Sequence, residues 1–195
     1  MRKLNINNFH SAMILDYLEG SFDEDELKEL EGILDSSQLS LTINQHEPIH
    51  LNAIEELFPQ VRMFLSHDIV TTIISGLATS SLYDTLKASL SFIYHRMRAK
   101  PFYMISANKK IQEEIPNCQL IIGDAKVILP MKLDNEDFNK YVVDRFFESV
   151  DKKALSANCY IRYNENTRLF ECLSERQITE RHFDEFRKKQ DKLKI

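Results

Sequence analysis

Residues 69–98 read IVTTIISGLATSSLYDTLKASLSFIYHRMR, and the structure of that stretch decides what is built around it. Ile69, Ile73, Ile74, Leu77, Leu82, Leu86, Leu90, Ile93 and Met97 keep near-helical spacing, which predicts one helix over 69–98. Between Ile69 and Tyr94 the only charges are Asp84 and Lys87, both past the middle. A membrane span needs ~20 mostly apolar residues. The frequent Ser and Thr, with Asp84 and Lys87, favour a buried central helix instead. His95, Arg96, Arg98 and Lys100 end it with positive charge, as the macrodipole favours, and Pro101 stops it.

Upstream, Phe9 to Leu18 is apolar-rich and Gly20 breaks it. Ser21 and Glu24 have capping-box spacing, Asp23 to Glu26 place acid in the next first turn, and Leu27, Leu30 and Leu34 form its apolar stripe. The prediction is an N-terminal helical hairpin over 9–35. Leu39, Leu41 and Ile43 alternate with polar residues and read as a strand. Pro48 opens a short helix over 49–58, Pro59 interrupts it, and a second piece runs to Leu65. Ser66 or Asp68 suits the cap of the long helix.

Downstream, Phe102 to Ser106 reads as a strand. Cys118 to Ile122 and Ala125 to Leu129 flank Gly123-Asp124, a pair suited to a type II′ hairpin turn. Asp134 or Asn135 caps a helix to about residue 150, with Phe138, Val142 and Phe146 on one face. Cys159 to Tyr163 and Arg168 to Cys172 flank Asn164-Glu165-Asn166-Thr167. That loop predicts pairing of Tyr163 with Arg168, Ile161 with Phe170 and Cys159 with Cys172. Ser174 and Gln177 have capping-box spacing before a charged C-terminal helix.

The expected fold is α+β: a mainly antiparallel sheet packed on a long central helix, with an N-terminal helical hairpin. The hairpin takes residues 1–36 and a single α+β domain takes 37–195. Ile121, Ile122, Ile161 and Phe170 are expected in one sheet on the 69–98 helix.

The 195 residues suffice for one real core, and 43% apolar with 28% charged residues is ordinary for a globular protein. A net charge of −5 argues against nucleic acid as a partner. Cys118, Cys159 and Cys172 make an odd set without C-x-x-C spacing, which suits a reducing compartment and disfavours zinc. Asn5, Asn7, Asn8 and His10 interrupt any apolar leader, so the expected location is the cytoplasm.

His46-Glu47-Pro48-Ile49-His50 spells H-E-x-x-H, the pattern of zinc hydrolases in which two His share a helical face. Pro48 inside that turn costs ~3 kcal/mol of helix and sets His46 outside it. Ala53 and Glu55 replace the usual continuation towards a third ligand. His46 and His50 therefore remain only an alternative metal pair, and no cofactor is expected. Ser66-His67-Asp68 holds triad residue types, but a triad is spatial, and no G-x-S-x-G elbow accompanies it. No phosphate loop, dinucleotide fingerprint or kinase signature is present. Lys87, Arg96, Arg98, Lys100, Lys109 and Lys110 lie in a stretch without acid, making Arg96, Arg98 and Lys100 candidate anion binders. The acidic run Asp23 to Glu31 is a candidate to answer them, within the chain or in a second copy. Ser75, Gly76, Thr79 and Ser80 line one small-residue face of the predicted long helix, the candidate interface.

Two resemblances add to this. Leu15-Asp16-Tyr17-Leu18-Glu19-Gly20 followed by Asp23-Glu24-Asp25-Glu26-Leu27 resembles the N-terminal hairpin of bacterial anti-sigma and related regulator proteins. Ser75-Gly76-Leu77-Ala78 and Leu82-Tyr83-Asp84-Thr85-Leu86-Lys87, with strands around Gly123-Asp124 and a helix opening Asp134-Asn135-Glu136-Asp137, resemble small adaptor domains of bacterial effector and conflict systems. That second resemblance implies a non-enzymatic module acting through a protein partner or self-association, with no membrane span. The alternatives are a zinc-dependent hydrolase at His46 and His50, and a sensor of an anionic ligand at the basic stretch.

Overall fold

The computed structural model describes residues 12–47, 61–76, 80–100, 102–105, 111–114 and 118–192. β1 (Ala12–Leu18) leads through α1 (Glu24–Asp35) to β2 (Ser40–His46), and β3 (Val61–Leu65) follows. Next come α2 (His67–Ile74), α3 (Ser80–Ala99) and a separate ribbon of β4 (Phe102–Ile105) and β5 (Ile111–Glu114). β6 (Cys118–Ile122) and β7 (Ala125–Ile128) form a hairpin. A helix over 135–149, α4, contains a π-helical turn at Phe138–Val143. α5 (Lys152–Leu155), the hairpin of β8 (Tyr160–Asn164) and β9 (Leu169–Leu173), and α6 (Glu175–Lys192) complete the order.

The main sheet has seven strands in the order β2-β1-β3-β6-β7-β8-β9. β1/β2, β3/β6 and β7/β8 pair parallel, whereas β1/β3, β6/β7 and β8/β9 pair antiparallel. The sheet is therefore mixed, which corrects the expectation of a mainly antiparallel one. The reason is connectivity. Parallel neighbours need a long crossover, and helices lie between the strands of each parallel pair, whereas tight turns join β6 to β7 and β8 to β9.

Three further corrections have local causes. The expected N-terminal helical hairpin does not form, because Ala12–Leu18 is a strand paired on both sides. Its run is apolar except for Asp16 and carries no decisive period, so the neighbouring strands decide its conformation. Residues 61–65 are likewise a strand, with Val61, Met63 and Leu65 buried in alternation; the short helix expected over 49–58 lies outside the described residues. The single helix expected over 69–98 is two. The Ser75 N–H reaches Thr71 O at 3.0 Å and the Gly76 N–H reaches Ile73 O at 2.9 Å. Gly76 then takes φ +69, the left-handed conformation that ends helices.

Other expectations hold with shifts. α1 closes a capping box at Asp23 and Glu26 rather than at Ser21 and Glu24, with bonds of 2.8 and 3.0 Å. Leu30 and Leu34 are buried beneath it. Gly123 takes φ +59 in the β6–β7 turn while Asp124 keeps negative φ, as type II′ requires. A Cβ on Gly123 would meet the Leu155 carbonyl at 3.2 Å and the His67 ring at 3.3 Å, so both space and conformation demand glycine. The β8–β9 register is displaced by two residues from the expected one, pairing Ile161 with Cys172 and Tyr163 with Phe170. Asn164 causes this: its side chain accepts from the Asn166 and Thr167 amides, and Arg168 enters φ +56 to close the turn. Ser174 and Gln177 cap α6 reciprocally.

Two transverse rows cross the sheet in register. Ile43, Leu15, Met63, Leu120, Val127, Ile161 and Cys172 form one, and its five central members are fully buried in the main core. Leu86, Leu90, Ile93 and Met97 of α3 and Phe138, Val142 and Phe146 of α4 share that core. Asn44, Asp16, Arg62, Gln119, Ile128, Arg162 and Glu171 form the next row, which the pleat turns to the opposite face. Among the described residues, no helix is long and apolar enough to cross a membrane.

Candidate functional site

The polar row gathers its charges at the β2 edge. Asp16 lies on β1 directly opposite Arg62 on β3, and its other neighbour, β2, ends two residues past Asn44 at His46. The Asp16 carboxylate is buried and divided: Oδ1 binds His46 Nε2, and Oδ2 binds Arg62 Nη2 at 3.0 Å. His46 and Arg62 keep side-chain exposures of 49% and 43%, so their outer ends reach the surface. A buried carboxylate left alone is costly, and two donors on flanking strands satisfy it. The arrangement locks β2 and β3 to β1. In the neutral imidazole it places the proton on Nε2 and leaves the Nδ1 lone pair free to accept.

His46 was a sequence candidate, but as one end of a helical zinc pair. It stands at the end of a strand, engaged by a carboxylate, and His50 lies outside the described residues. No cluster of three or more metal-ligating side chains occurs among the described residues. Asp16 was missed because its partners are 30 and 46 residues away in sequence, and nothing local in β1 announces them.

Two of the three expected anion binders, Arg96 and Lys100, are drawn into the chain's own acids. Arg96 contacts Glu29 at 3.0 Å and Glu26 at 3.7 Å, and Lys100 contacts Glu26 at 2.5 Å and the Ser21 carbonyl at 2.9 Å. Arg98 is exposed. The acidic run does answer the basic stretch within the chain, across the α1–α3 contact.

The expected interface residues do not form one helical face. Ser75 and Gly76 are exposed at the end of α2, Thr79 lies outside the described residues, and Ser80 begins α3. Ser75 accepts a hydrogen bond from Lys152, and among the described residues beyond its chain neighbours no atom lies within 4 Å of where a Gly76 Cβ would stand. Ser66 occupies the N-cap of α2 without a side-chain cap bond, and His67 opens the helix.

Two further polar clusters occur, the second at Cys159 and Cys172, which the expected register paired directly and the observed one sets diagonally. Tyr83 and Lys87 of α3 both donate to Asp144 of α4, and burial, then Asp144, raises the Tyr83 hydroxyl. Burial, then the neighbouring Cys172, pushes the Cys159 thiol up to about 12. Buried Cys118 is also pushed up to about 12.

No family model, no curated protein and no solved structure matches the chain.

Proposed function

We propose that the chain is a non-enzymatic interaction module that takes an extended segment of a protein partner along the outer edge of β2. The observation that carries this reading is the edge itself. β2 is seven residues long, ends the sheet order, and pairs on one side only among the described residues. The His46 carbonyl accepts the Glu19 amide at 2.8 Å, on the β1 side. Alternation then turns the backbone groups of Thr42, Asn44 and His46 to β1 and those of Leu41, Ile43 and Gln45 outward. β2 contains no Lys, Arg or Pro of the kind that blunts exposed edges. Such an edge is a template for strand addition, with main-chain bonds supplying affinity. The Asp16–His46–Arg62 cluster supports the reading by holding the end of β2 in place.

The test is Gln45→Pro. It removes one outward donor at an exposed position and spares the bonds to β1. A protein captured by the wild type, lost by the variant, and slowing exchange of the Ile43 and Gln45 amides supports the proposal. A partner held equally by both chains contradicts it.

A further inference from the structure

Cys159 and Cys172 meet in a way neither the fold nor the proposed binding edge requires. Cys172 sits on β9, the far edge strand, and is exposed. Its partner across the β8–β9 ladder is Ile161, and Cys159 stands two residues before Ile161 on the same face. Diagonal neighbours of this kind share one face of the sheet about 7–8 Å apart, with their Cβ atoms somewhat closer. Here Cys172 is near enough to act on the Cys159 thiol, which donates to the Ala154 carbonyl at 3.5 Å. Cys159 lies just before β8, anchored by its carbonyl to the Lys126 amide at 3.0 Å. One thiol therefore faces solvent while the other waits beneath it.

We propose that Cys172 and Cys159 are a two-electron redox pair, oxidised by a small peroxide to an intramolecular disulfide. The exposed Cys172, as thiolate, attacks one peroxide oxygen; the O–O bond breaks, and Cys172 becomes a sulfenic acid as hydroxide leaves. The Cys159 sulfur then attacks the Cys172 sulfur, gives up its proton and releases a second water as the S–S bond forms. In sum, two thiols and one hydrogen peroxide give one disulfide and two waters. Burial fixes the order: the covered Cys159 is shielded from oxidant and acts second. The disulfide ties the segment after α5 to edge strand β9 and closes the hairpin into a loop, which restricts the unfolded chain. A dithiol reductant reverses it.

The experiment treats the full chain with hydrogen peroxide, alkylates the remaining thiols and maps the peptides by mass spectrometry. The expected product links Cys159 to Cys172, leaves Cys118 alkylatable, melts several degrees higher and returns to the starting mass with dithiothreitol. In Cys159→Ser, Cys172 has no resolving partner and should progress to sulfinic acid or join a second chain. Wild-type protein in which Cys172 over-oxidises or cross-links chains while Cys159 stays a free thiol overturns the proposal. The same Cys172 products from wild type and Cys159→Ser also overturn it.

Discussion

Gly76 shows how one residue changes meaning when its neighbours are placed. Inside a continuous helix it would mark close packing, and a larger side chain would clash. At φ +69, with none of the described residues beyond its chain neighbours within 4 Å of a Cβ, it is a conformational stop rather than a packing contact. Left-handed backbone costs an ordinary side chain about 1 kcal/mol, whatever its size. Gly76→Ala and Gly76→Leu should therefore lower stability by a similar amount, about 1 kcal/mol each in denaturant titration, and Gly76→Asn by less. A leucine penalty far above the alanine penalty would restore the packing explanation. The residues themselves held part of this: a Gly among Ser and Thr is a visible breaker. The helical spacing on both sides of it concealed the break, because α2 and α3 each keep their own period.

At the scale of elements, α1 and α3 are clasped through Glu26. That buried side chain caps α1 and meets both Arg96 and Lys100. Exposed ion pairs contribute little, but Glu26 is only 9% exposed and carries three roles at once. Glu26→Ala removes half of the capping box and leaves two partly buried cations without that carboxylate. The expected loss is about 1–3 kcal/mol. A loss that adds fully to that of Arg96→Ala in a double-mutant cycle would show the two do not interact. Complementary charge runs made this clasp legible in sequence. β1 was not legible, since only the strands on either side reveal that it is a strand. β5 was missed for a similar reason: Ile111–Glu114 is a four-residue strand defined by its pairing with β4.

For the whole molecule, the sequence revealed α/β content and both hairpins, because turn residues and capping boxes are local signals. Strand order, parallel pairing and the Asp16 cluster depend on contacts dozens of residues apart, and no short window contains them. The global core has a pH signature. Folded Cys118 keeps its proton up to about 12, whereas its ordinary value is 9.0. Between those values the unfolded thiol loses a proton that the folded one retains, so stability is full below about 9 and falls as pH rises through that window. Buried Tyr94, also raised to about 12, adds a decline that starts from 10.0. Melting temperature should be flat from neutral pH to 9 and decline above it. Cys118→Ala should lower the plateau and soften the earlier part of the decline, to which Cys159, also raised to about 12, still contributes.

The open outer edge of β2 is the claim on which the functional account rests, and amide hydrogen exchange in the free protein tests it most directly. The account predicts slow exchange at Thr42, Asn44 and His46, which bond to β1, and fast exchange at Ile43 and Gln45, which point away from it. Equal protection at all five amides would show that the edge is already covered and would contradict its role as a binding site.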